Sequence, residues 1–297
     1  MSLFGCSTEL IYGIHPVLGA LKAKQRFLER LLIRSDLFHQ SFKKELAKSW
    51  LFNIHDYAKL TQVPTEFTPF DELSRMTNGR AHQGVVLQAG PIHIDPLTSG
   101  NVSDICRPLN SGTGSSIKNR PIILLLDHLT DIMNVGTIFR SALYFGVSTV
   151  LFSAAPCVSP SLLVSKISAG AMEGLKFFRL ASTTDDLLLL SQTGCHLIGT
   201  VCSNVTGAHS PTLLDCHHLN SSFLSKLNKS AYPHQPFVVA IGNESKGLSP
   251  EVLNACETFV RILGPGADSI GYSAIPSSLN VSVAAGILFY QLANFVK

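Results

Sequence analysis

The sequence predicts an α/β protein in two parts, a small mixed domain followed by a parallel sheet with helices on both faces. Three observations carry this prediction. The chain has 297 residues, of which 45% are hydrophobic and 14% charged, enough for about two domains with buried cores. Beyond residue 121, short apolar segments alternate with amphipathic ones, as expected for strands buried on both faces. A stretch rich in Pro, Gly, Ser and Asn separates the two parts.

Residues 1–90 are predicted to form the small domain. Apolar residues at helical spacing from Ile11 to Lys24 predict its first helix. The other elements predicted here are a strand at Leu31–Ile33, helices at Phe42–Phe52 and Asp56–Leu60, a strand at Val63–Phe67, a helix at Pro69–Met76 and a strand at Gly84–Ala89. Residues 91–120 are predicted to be a linker, because runs such as Asn110–Ser116 offer no side chains that build a core.

Residues 121–297 are predicted to form the domain built on the parallel sheet. Its strands are expected at Ile122–Leu126, Val147–Phe152, Leu175–Leu180, His196–Val201, Phe237–Ile241 and Phe259–Ile262. Its helices are expected near Asn134–Phe145, Ser161–Met172, Asp185–Gln192 and Ser249–Cys256. Because ligands of such sheets bind beyond the carboxyl ends of the strands, we expect the functional site in the loops there.

Composition and motifs exclude several classes of protein. The apolar runs are far shorter than the roughly 18–20 residues of a membrane span, so no membrane partner is expected. The seven cysteines form no CxxC pair and His217 and His218 look isolated, so we expect free thiols in a reducing compartment and no metal. The sequence contains no glycine-rich nucleotide loop, no hydrolase nucleophile elbow and no HExxH zinc motif.

The net positive charge lies in the first part of the chain. Residues 1–90 have a net charge of +3, whereas residues 91–297 have a net charge of 0. This distribution is compatible with a polyanionic partner. The side chains that could contact phosphate are Lys22, Lys24, Arg26, Arg30, Arg34, Lys43, Lys44 and Lys48. A solvated helix face explains the same residues equally well.

The loop after the first strand of the sheet holds the first candidate residues. Within Asp127–Ala142, Asn134 is a plausible N-cap, and an apolar stripe starting at Val135 predicts a helix. At 100° per residue, Arg140 lies about 150° from the centre of that stripe and therefore off the buried face. It is either an ordinary exposed arginine or part of a site.

Two later loops offer further candidates. Gly242 and Gly247 bracket the loop Ala240–Pro250, where glycines either let a ligand approach the backbone closely or only shape a turn. The run Ser277–Gly286 begins Ser-Ser-Leu-Asn and continues with small residues, so a ligand can approach the start of its helix. Taken alone, this run is explained as well by a Ser-capped packing helix.

Taken in order, the three loops match the motifs of a known family. The first reads Asp-x-x-Asn-Val-Gly-x-x-x-Arg-Ser-Ala, the second Gly-Asn-Glu-x-x-Gly-Leu and the third Ser-Leu-Asn-Val-Ser-Val-Ala-Ala-Gly. In these motifs the chain resembles the SpoU (TrmH) family of SPOUT RNA 2′-O-methyltransferases. The first part is similar to the family's substrate-binding domain at Tyr12–Val17 and at His82–Val85.

The resemblance implies properties that the residues alone do not show. Members of the family fold the second domain with a C-terminal trefoil knot, act as homodimers and bind S-adenosylmethionine in the knot. The implied substrate is large-subunit ribosomal RNA, methylated on the ribose of a guanosine; transfer RNA, or a non-catalytic role in ribosome assembly, is the alternative. The implied location is mitochondrial, although the chain shows no Arg-rich amphipathic presequence, and otherwise cytoplasmic.

The site residues are implied by motif position. The catalytic residues are Asn134, Arg140, Glu244, Ser278 and Asn280, and the cofactor-binding residues are Gly242, Ile262 and Leu279. In the family the arginine is assigned as the base, but a guanidinium has a pKa above about 12 and is a poor base. The alternative is that Arg140 grips the 3′-phosphate. Glu244 orients either the Asn134 loop or the arginine. The segment Leu263–Ile275 is longer than the connection usual in the family.

Overall fold

Helices and strands alternate along the chain in the computed structural model. The structure describes residues 8–37, 49–106, 121–202, 212–219, 236–264 and 278–295. The helices are α1 Ile14–Ala23, α2 Ser49–Leu60, α3 Phe70–Met76, α4 Ser99–Ile105, α5 Ile132–Tyr144, α6 Leu162–Ile167, α7 Thr183–Gln192, α8 Pro250–Ala255 and α9 Val281–Phe295. The strands are β1 Glu9–Tyr12, β2 Leu28–Arg34, β3 Thr65–Thr68, β4 Val85–Ala89, β5 Asp95–Pro96, β6 Ile122–Leu126, β7 Thr149–Phe152, β8 Lys176–Arg179, β9 His196–Thr200, β10 Thr212–Asp215, β11 Phe237–Ile241 and β12 Thr258–Arg261.

The chain divides into two units. Met1–His93 and Ser159–Gly174 form the first, and Ile94–Val158 and Leu175–Lys297 form the second. The boundaries inferred from the sequence, 1–90, 91–120 and 121–297, stay a prediction. Among the helices that the structure describes, none has both the length and the apolar character needed to span a membrane.

The first unit is built on a sheet with the strand order β1-β4-β2-β3. β4 runs antiparallel to β1 and β2, and β2 runs parallel to β3. Side chains from α1 and α2 share one core with this sheet. The sequence predicts separate helices at 42–52 and 56–60, but a single helix spans 49–60, because Ile54 and Ala58 continue one buried stripe. Residues 42–48 lie outside the described residues.

Residues 159–174 belong to the first unit, although they follow β7 in the chain. The sequence predicts one helix over Ser161–Met172, but α6 ends at Ile167, and Ala169 and Gly170 then adopt φ values of 51° and 80°. A Cβ at Gly170 would lie 2.4 Å from the backbone oxygen of His15 in α1. Glycine is therefore required for this close approach, which accounts for the wrong helix boundary.

The sequence suggests that Arg26 contacts phosphate, but the structure buries this side chain in the first unit. Its buried guanidinium donates from Nε to Glu173 Oε2 over 2.7 Å and from Nη2 to Glu173 Oε1 over 3.1 Å. Its Nη1 donates to Glu9 and to the backbone oxygen of Gly90. Because all three guanidinium nitrogens donate within the unit, Arg26 is a structural residue, and the expectation that it contacts phosphate is wrong.

The other basic candidates are more exposed. Arg30 pairs with Glu66, and Arg34 pairs with Asp36, in both cases with partly exposed side chains. Such pairs are weak and exchange with solvent ions, so both arginines remain able to contact phosphate. Lys43, Lys44 and Lys48 lie outside the described residues.

The second unit is built on an eight-stranded sheet with the order β10-β12-β9-β11-β6-β7-β8-β5. All neighbouring strands are parallel. β6 and β11 pair at its centre and are buried along their whole length. The α/β class and the parallel sheet are confirmed, and the six predicted strands differ from the observed ones by at most two residues at either end.

Part of the predicted linker contributes to the core of the second unit. Leu97, Val102 and Ile105 are buried there, although the sequence suggested that no residue of 91–120 could build a core. The helix α4 begins where Asn101 Oδ1 accepts a hydrogen bond from the Thr98 N–H over 2.8 Å, a local capping interaction that offsets the poor helix composition. β5 and β10 were also missed, because they are short strands at the two edges of the sheet.

The trefoil knot stays a prediction. Most of the long segment Leu263–Ile275, residues 265–275, lies outside the described residues. What the structure does describe is the carboxyl edge of the sheet, where β6, β9 and β11 end side by side.

Candidate functional site

The sequence suggests that Asn134 caps its helix, but the structure shows that it does not. The N-cap of α5 is Asp131, whose Oδ1 accepts hydrogen bonds from the N–H of Met133 over 2.7 Å and from the N–H of Asn134 over 3.0 Å. Both residue types cap helices well, so the sequence does not distinguish them. Because Asp131 performs the capping, the Asn134 side chain is available for other contacts.

The carboxylate of Glu244, in the second predicted loop, contacts both the first loop and the start of the last helix. Glu244 Oε1 accepts hydrogen bonds from Asn134 Nδ2 over 3.2 Å, from Asn280 Nδ2 over 2.9 Å and from the N–H of Val281 over 3.0 Å. Asn280 Nδ2 also lies 2.9 Å from Asn134 Oδ1. We call Asn134, Glu244 and Asn280 the amide–carboxylate cluster. Glu244 therefore contacts the Asn134 loop directly, and its role in catalysis stays a prediction.

Asn280 also begins the last helix. Its Oδ1 accepts hydrogen bonds from the N–H of Ser282 over 2.9 Å and from Ser282 Oγ over 2.6 Å. The alternative of a Ser-capped helix is therefore wrong at the level of the capping residue, since Asn280 supplies the side-chain acceptor. The Asn280 side chain thus caps the last helix with its oxygen and takes part in the cluster with its nitrogen.

The loop after β11 is tightly folded around Asn243. Asn243 Oδ1 accepts from the N–H groups of Ser245 and Lys246, and its Nδ2 donates to the backbone oxygen of His128 over 3.1 Å. Asn243 and Gly247 exchange two backbone hydrogen bonds. These contacts hold Glu244 at the tip of a short, closed loop.

Gly242 is required by this folding. A Cβ at Gly242 would lie 2.4 Å from the carbonyl carbon and oxygen of Gly247, which are backbone atoms and cannot move aside. The buried carboxylate of Asp127 fixes the other end of the loop, because its Oδ2 accepts from the N–H of Ser249 over 2.7 Å. Oδ1 of the same carboxylate lies 3.0 Å from Nδ1 of His128.

A cavity of about 470 Å³ opens at this edge of the sheet. Its lining includes Gly242, Glu244, Ser278 and Leu279, four of the residues predicted to bind cofactor or act in catalysis. Ile262 is not among the lining residues. The remaining lining residues are Thr200, Val201, Cys202, Asn243, Ser245, Lys246, Gly247, Leu248, Leu253, Val281 and Ala284.

Sequence reasoning missed residues 200–202 of this lining. They follow β9, whose carboxyl end lies beside that of β11. The rule that ligands bind beyond the strand ends could have found them, since the strand itself was predicted. They carry no motif of their own, which is why they were overlooked.

Arg140 lies apart from the cluster. It is exposed on α5, as its angular position predicts, six residues beyond Asn134 and so about 9 Å further along the helix axis and about 120° around it. Within the described chain, its guanidinium makes no hydrogen bond or ion pair. The structure of one chain therefore brings together Asn134, Glu244 and Asn280 but not Arg140.

A second group of polar side chains could in principle bind a metal. The ligand atoms of Asp215, His217 and His218 lie within 4.8 Å of one another, so the two histidines are less isolated than the sequence suggests. However, Arg261 Nε donates to Asp215 Oδ1 over 2.7 Å and holds the pKa of that carboxyl below its usual value. With the carboxylate already paired to a cation, the group is a poor metal site.

Two family models match the chain. The model described as the SpoU rRNA methylase family matches residues 121–290. The chain belongs to this family. A second model, described as RNA 2′-O ribose methyltransferase substrate binding, matches residues 10–94. The resemblance carried by the three motifs is thus confirmed, and the chain is a methyltransferase of the SpoU family.

Relatives of this SpoU methylase are similar over nearly its whole length. It is 29% identical to the mitochondrial rRNA methyltransferase 1 of Schizosaccharomyces pombe, over 97% of this chain and 90% of that protein. It is 30% identical to the mitochondrial rRNA methyltransferase 1 of Homo sapiens, over 96% of this chain and 72% of that protein. It is 26% identical to the 23S rRNA (guanosine-2′-O-)-methyltransferase RlmB of Vibrio vulnificus, over 96% of each.

Solved structures confirm the fold of this SpoU methylase. The SpoU methyltransferase AviRb of Streptomyces viridochromogenes, solved with AdoMet, has a TM-score of 0.63 and 19% identity over 97% of this chain and 89% of that one. An AdoMet-bound rRNA methyltransferase of Sinorhizobium meliloti has a TM-score of 0.62 and 19% identity over 97% and 87%.

Proposed function

We propose that this chain methylates the 2′-oxygen of a ribose, that of a guanosine, in large-subunit ribosomal RNA of mitochondria, with S-adenosylmethionine as the methyl donor. The observation that carries the proposal is the amide–carboxylate cluster, in which Glu244 Oε1 accepts three hydrogen bonds at the edge of the cavity. Three loops far apart in sequence supply these groups. A contact that serves only stability does not need polar side chains from three separate loops.

The cavity has the properties that S-adenosylmethionine requires. Its volume of about 470 Å³ falls in the range of small-molecule sites, roughly 300–1,000 Å³. Leu248, Leu253 and Leu279 offer apolar walls for an adenine ring. Gly242 lines the cavity with backbone atoms alone, and its lack of a Cβ lets the Gly247 backbone pack closely against it. We infer that Gly242 and Leu279 hold the cofactor, and that Ile262 contributes from the residue after β12, the strand that pairs with β9.

Glu244 suits a cationic donor. The donors to Glu244 Oε1 in the described chain are two amides and one backbone N–H, all neutral, so its negative charge is not cancelled there. When bound, S-adenosylmethionine supplies a methyl group attached to a positively charged sulfur. A carboxylate at the cavity edge favours such a cation electrostatically.

The remaining residues position the ribose. Asn134 uses both its Nδ2 and its Oδ1 inside the cluster and Asn280 uses its Nδ2, which holds both side chains in one orientation. Ser278 lines the cavity beside them and has a hydroxyl able to donate to or accept from a ribose oxygen. Such fixed groups lower the entropy that the reacting hydroxyl loses in the transition state.

Arg140 acts in our proposal as a phosphate clamp rather than as the base. A guanidinium stays protonated in proteins and binds phosphate with two parallel hydrogen bonds. The hydroxyl proton then leaves through a phosphate oxygen or water. Replacing Arg140 with lysine tests this: the clamp predicts reduced activity with an unchanged pH–rate profile, whereas full activity with a new alkaline limb would establish the base role.

We propose that the chain works as a homodimer. Val283, Ile287 and Tyr290 are 51%, 36% and 55% exposed and follow one another at helical spacing on α9. On α5, which packs against α9, Tyr144 is 83% exposed. An apolar face of this kind is the usual mark of a protein interface. A second copy covering it would also lie next to the exposed Arg140, one helical turn from Tyr144.

Sedimentation of Ile287→Asp tests the dimer, with Leu188→Asp as the control. Leu188 is 55% exposed on α7 in the same unit, but it lies outside the proposed face. We expect Ile287→Asp to sediment as a monomer with little activity and Leu188→Asp to behave as the unmodified protein. A dimer that survives Ile287→Asp and is lost in Leu188→Asp would place the interface elsewhere.

The substrate part of the proposal is tested with labelled S-adenosylmethionine. The purified chain is incubated with large-subunit ribosomal RNA or with transfer RNA, and the product is hydrolysed in alkali, which does not cleave after a 2′-O-methylated ribose. We expect label in one alkali-resistant guanosine-containing dinucleotide from ribosomal RNA. Label only on transfer RNA would assign the alternative substrate, and no label on either RNA would favour a non-catalytic assembly role.

A further inference from the structure

We propose that Cys106 and Cys195 form a reversible intramolecular disulfide when the protein meets a peroxide. The two sulfur atoms lie 3.2 Å apart although the residues are 89 positions apart in sequence. This distance is shorter than an ordinary van der Waals contact of two sulfurs, and a small side-chain movement brings them to the roughly 2.05 Å of a disulfide. The proposal concerns a modification site and does not depend on the proposed RNA substrate.

The two cysteines come from elements that pack on each other. Cys106 is the C-cap of α4 and is partly exposed, whereas Cys195 is buried just before β9. Cys195 belongs to the core of the second unit, and Cys106 packs against that core. The hydroxyl of Thr193 lies 3.7 Å from the Cys195 sulfur and donates to the backbone oxygen of Leu190. The sulfur pair is thus held by the fold and is not a chance meeting of two mobile side chains.

The surroundings make the two thiols unequal. The hydrogen bond from Cys195 lowers the pKa of the Cys106 thiol, and burial only partly opposes this. The same hydrogen bond and burial raise the pKa of Cys195. Because the thiolate is the reactive form and Cys106 is also the more exposed of the two, we assign the attack on the peroxide to Cys106 and the resolving step to Cys195.

The chemistry balances with a peroxide as the oxidant. The Cys106 thiolate attacks one oxygen of hydrogen peroxide, the O–O bond breaks, and after protonation a sulfenic acid and one water form. The Cys195 sulfur then attacks the sulfenic sulfur, the S–O bond breaks, and a second water leaves with the Cys195 proton. Two thiols and one peroxide thus give one disulfide and two waters, and a thiol reductant reverses the bond.

The disulfide is expected to link two segments of the second unit covalently. β5 is only two residues long, so the Asp95–Cys106 segment is attached to the sheet mainly by the buried side chains of Leu97, Val102 and Ile105. A disulfide to Cys195 would fasten this segment to β9. Cys195 precedes a five-residue strand whose far end reaches the cavity, so about 17 Å separates Cys195 from Thr200, the lining residue at that end. We therefore expect stability to change and the cofactor site to stay intact.

Peptide mapping of the full chain tests the proposal. The protein is treated with equimolar hydrogen peroxide, remaining thiols are alkylated, and the digest is analysed by mass spectrometry with and without reduction. We expect one peptide pair joining Cys106 to Cys195 and a melting temperature raised by on the order of 5–10 °C, reversed by dithiothreitol. S-adenosylmethionine affinity is expected to stay within about twofold.

Matched variants separate this pair from other thiols. Cys106→Ser is expected to abolish both the cross-link and the rise in melting temperature, whereas Cys157→Ser, at a partly buried cysteine outside the pair, keeps both. The proposal is overturned if Cys106 and Cys195 are recovered as separate oxidised or alkylated peptides, or if the cross-link joins the exposed Cys202 instead. Should Cys106→Ser fail to fold, the peptide map of the unmodified protein decides alone.

Discussion

Two glutamates in the two units show how similar hydrogen bonding serves different ends. Glu173 is buried and accepts two hydrogen bonds from Arg26 and one from Ser165. Glu244 is exposed and accepts its three hydrogen bonds on one oxygen, from Asn134, Asn280 and the Val281 N–H. The first carboxylate is neutralised by a cation, whereas the donors to the second in the described chain are neutral.

The two carboxylates therefore serve separate purposes, stability in the first unit and function in the second. A buried charge that loses its partner is strongly destabilising, so Glu173 and Arg26 hold the first unit together. A carboxylate at a cavity edge contributes little to stability but keeps its charge for a ligand. Substitution by glutamine should therefore lower mainly the stability at Glu173 and mainly the activity at Glu244.

The largest expected effect is on the stability of the first unit. Glu173→Gln removes the buried charge partner of Arg26, which keeps only the partly exposed Glu9, and should lower the free energy of unfolding by about 3 kcal/mol. The single tryptophan, Trp50 in α2, packs against the core of this unit, so urea unfolding followed by its fluorescence reports the change. Glu66→Gln, which breaks the exposed pair with Arg30, should cost less than about 1 kcal/mol. Equal effects of the two changes would contradict the comparison.

The next effect is on methyl transfer. Asn280→Ala removes the hydrogen bonds to Glu244 and Asn134 and should lower turnover about 100-fold, or about 2.7 kcal/mol, while cofactor affinity changes less than about threefold. The control is Ser282→Ala, which loses only the hydroxyl bond to Asn280 and should keep most of the activity. Loss of cofactor affinity as large as the loss of turnover would remove Asn280 from the reacting sugar.

A smaller effect is expected on cofactor binding. A methyl group at Gly242 would collide with the backbone of Gly247, so Gly242→Ala must shift the loop, and S-adenosylmethionine should bind about tenfold more weakly in calorimetry. Gly100→Ala is the control, because a Cβ there meets only the Thr98 hydroxyl at 3.8 Å. Unchanged affinity in Gly242→Ala would mean that the cofactor does not use this loop.

The smallest expected effect is a pH dependence of the first unit. His82 Nδ1 accepts from the N–H of Gly84 over 3.1 Å, and burial, with Arg34 and Lys166 nearby, lowers the pKa of this histidine. The unfolded chain then binds a proton that the folded chain resists, so stability falls as pH drops below about 6.5 and levels off below the folded pKa.

Unfolding at several pH values in wild type and His82→Asn measures this contribution. Burial also lowers the pKa of His55, which adds a slope of the same sign, so the difference between the two proteins isolates His82. We expect a shallower slope below pH 6.5 in His82→Asn. Identical slopes would show that His82 is not held neutral in the folded state.

The sequence predicts the parallel sheet and the loops of the site because both depend on local patterns. Wholly apolar strands reveal the sheet, and the ends of β6 and β11 place two of the candidate loops at one edge. The choice of Asn134, Glu244 and Asn280 within the loops came from the resemblance of the three motifs to the family. Contacts between distant residues leave no such pattern. The pairing of Arg26 with Glu173 spans 147 positions, so the sequence suggested a phosphate contact instead. The capping of α5 by Asp131 was missed because aspartate and asparagine cap helices equally well.

The role of the amide–carboxylate cluster is tested by the single-turnover rate of methyl transfer by Glu244→Gln, measured on protein whose free energy of unfolding is determined in parallel. Glutamine keeps the size and one acceptor oxygen but removes the charge. We predict a rate at least about 100-fold slower, with stability within about 1 kcal/mol of the unmodified protein. A folded Glu244→Gln that methylates at the unmodified rate would contradict the placement of the amide–carboxylate cluster at the reacting ribose.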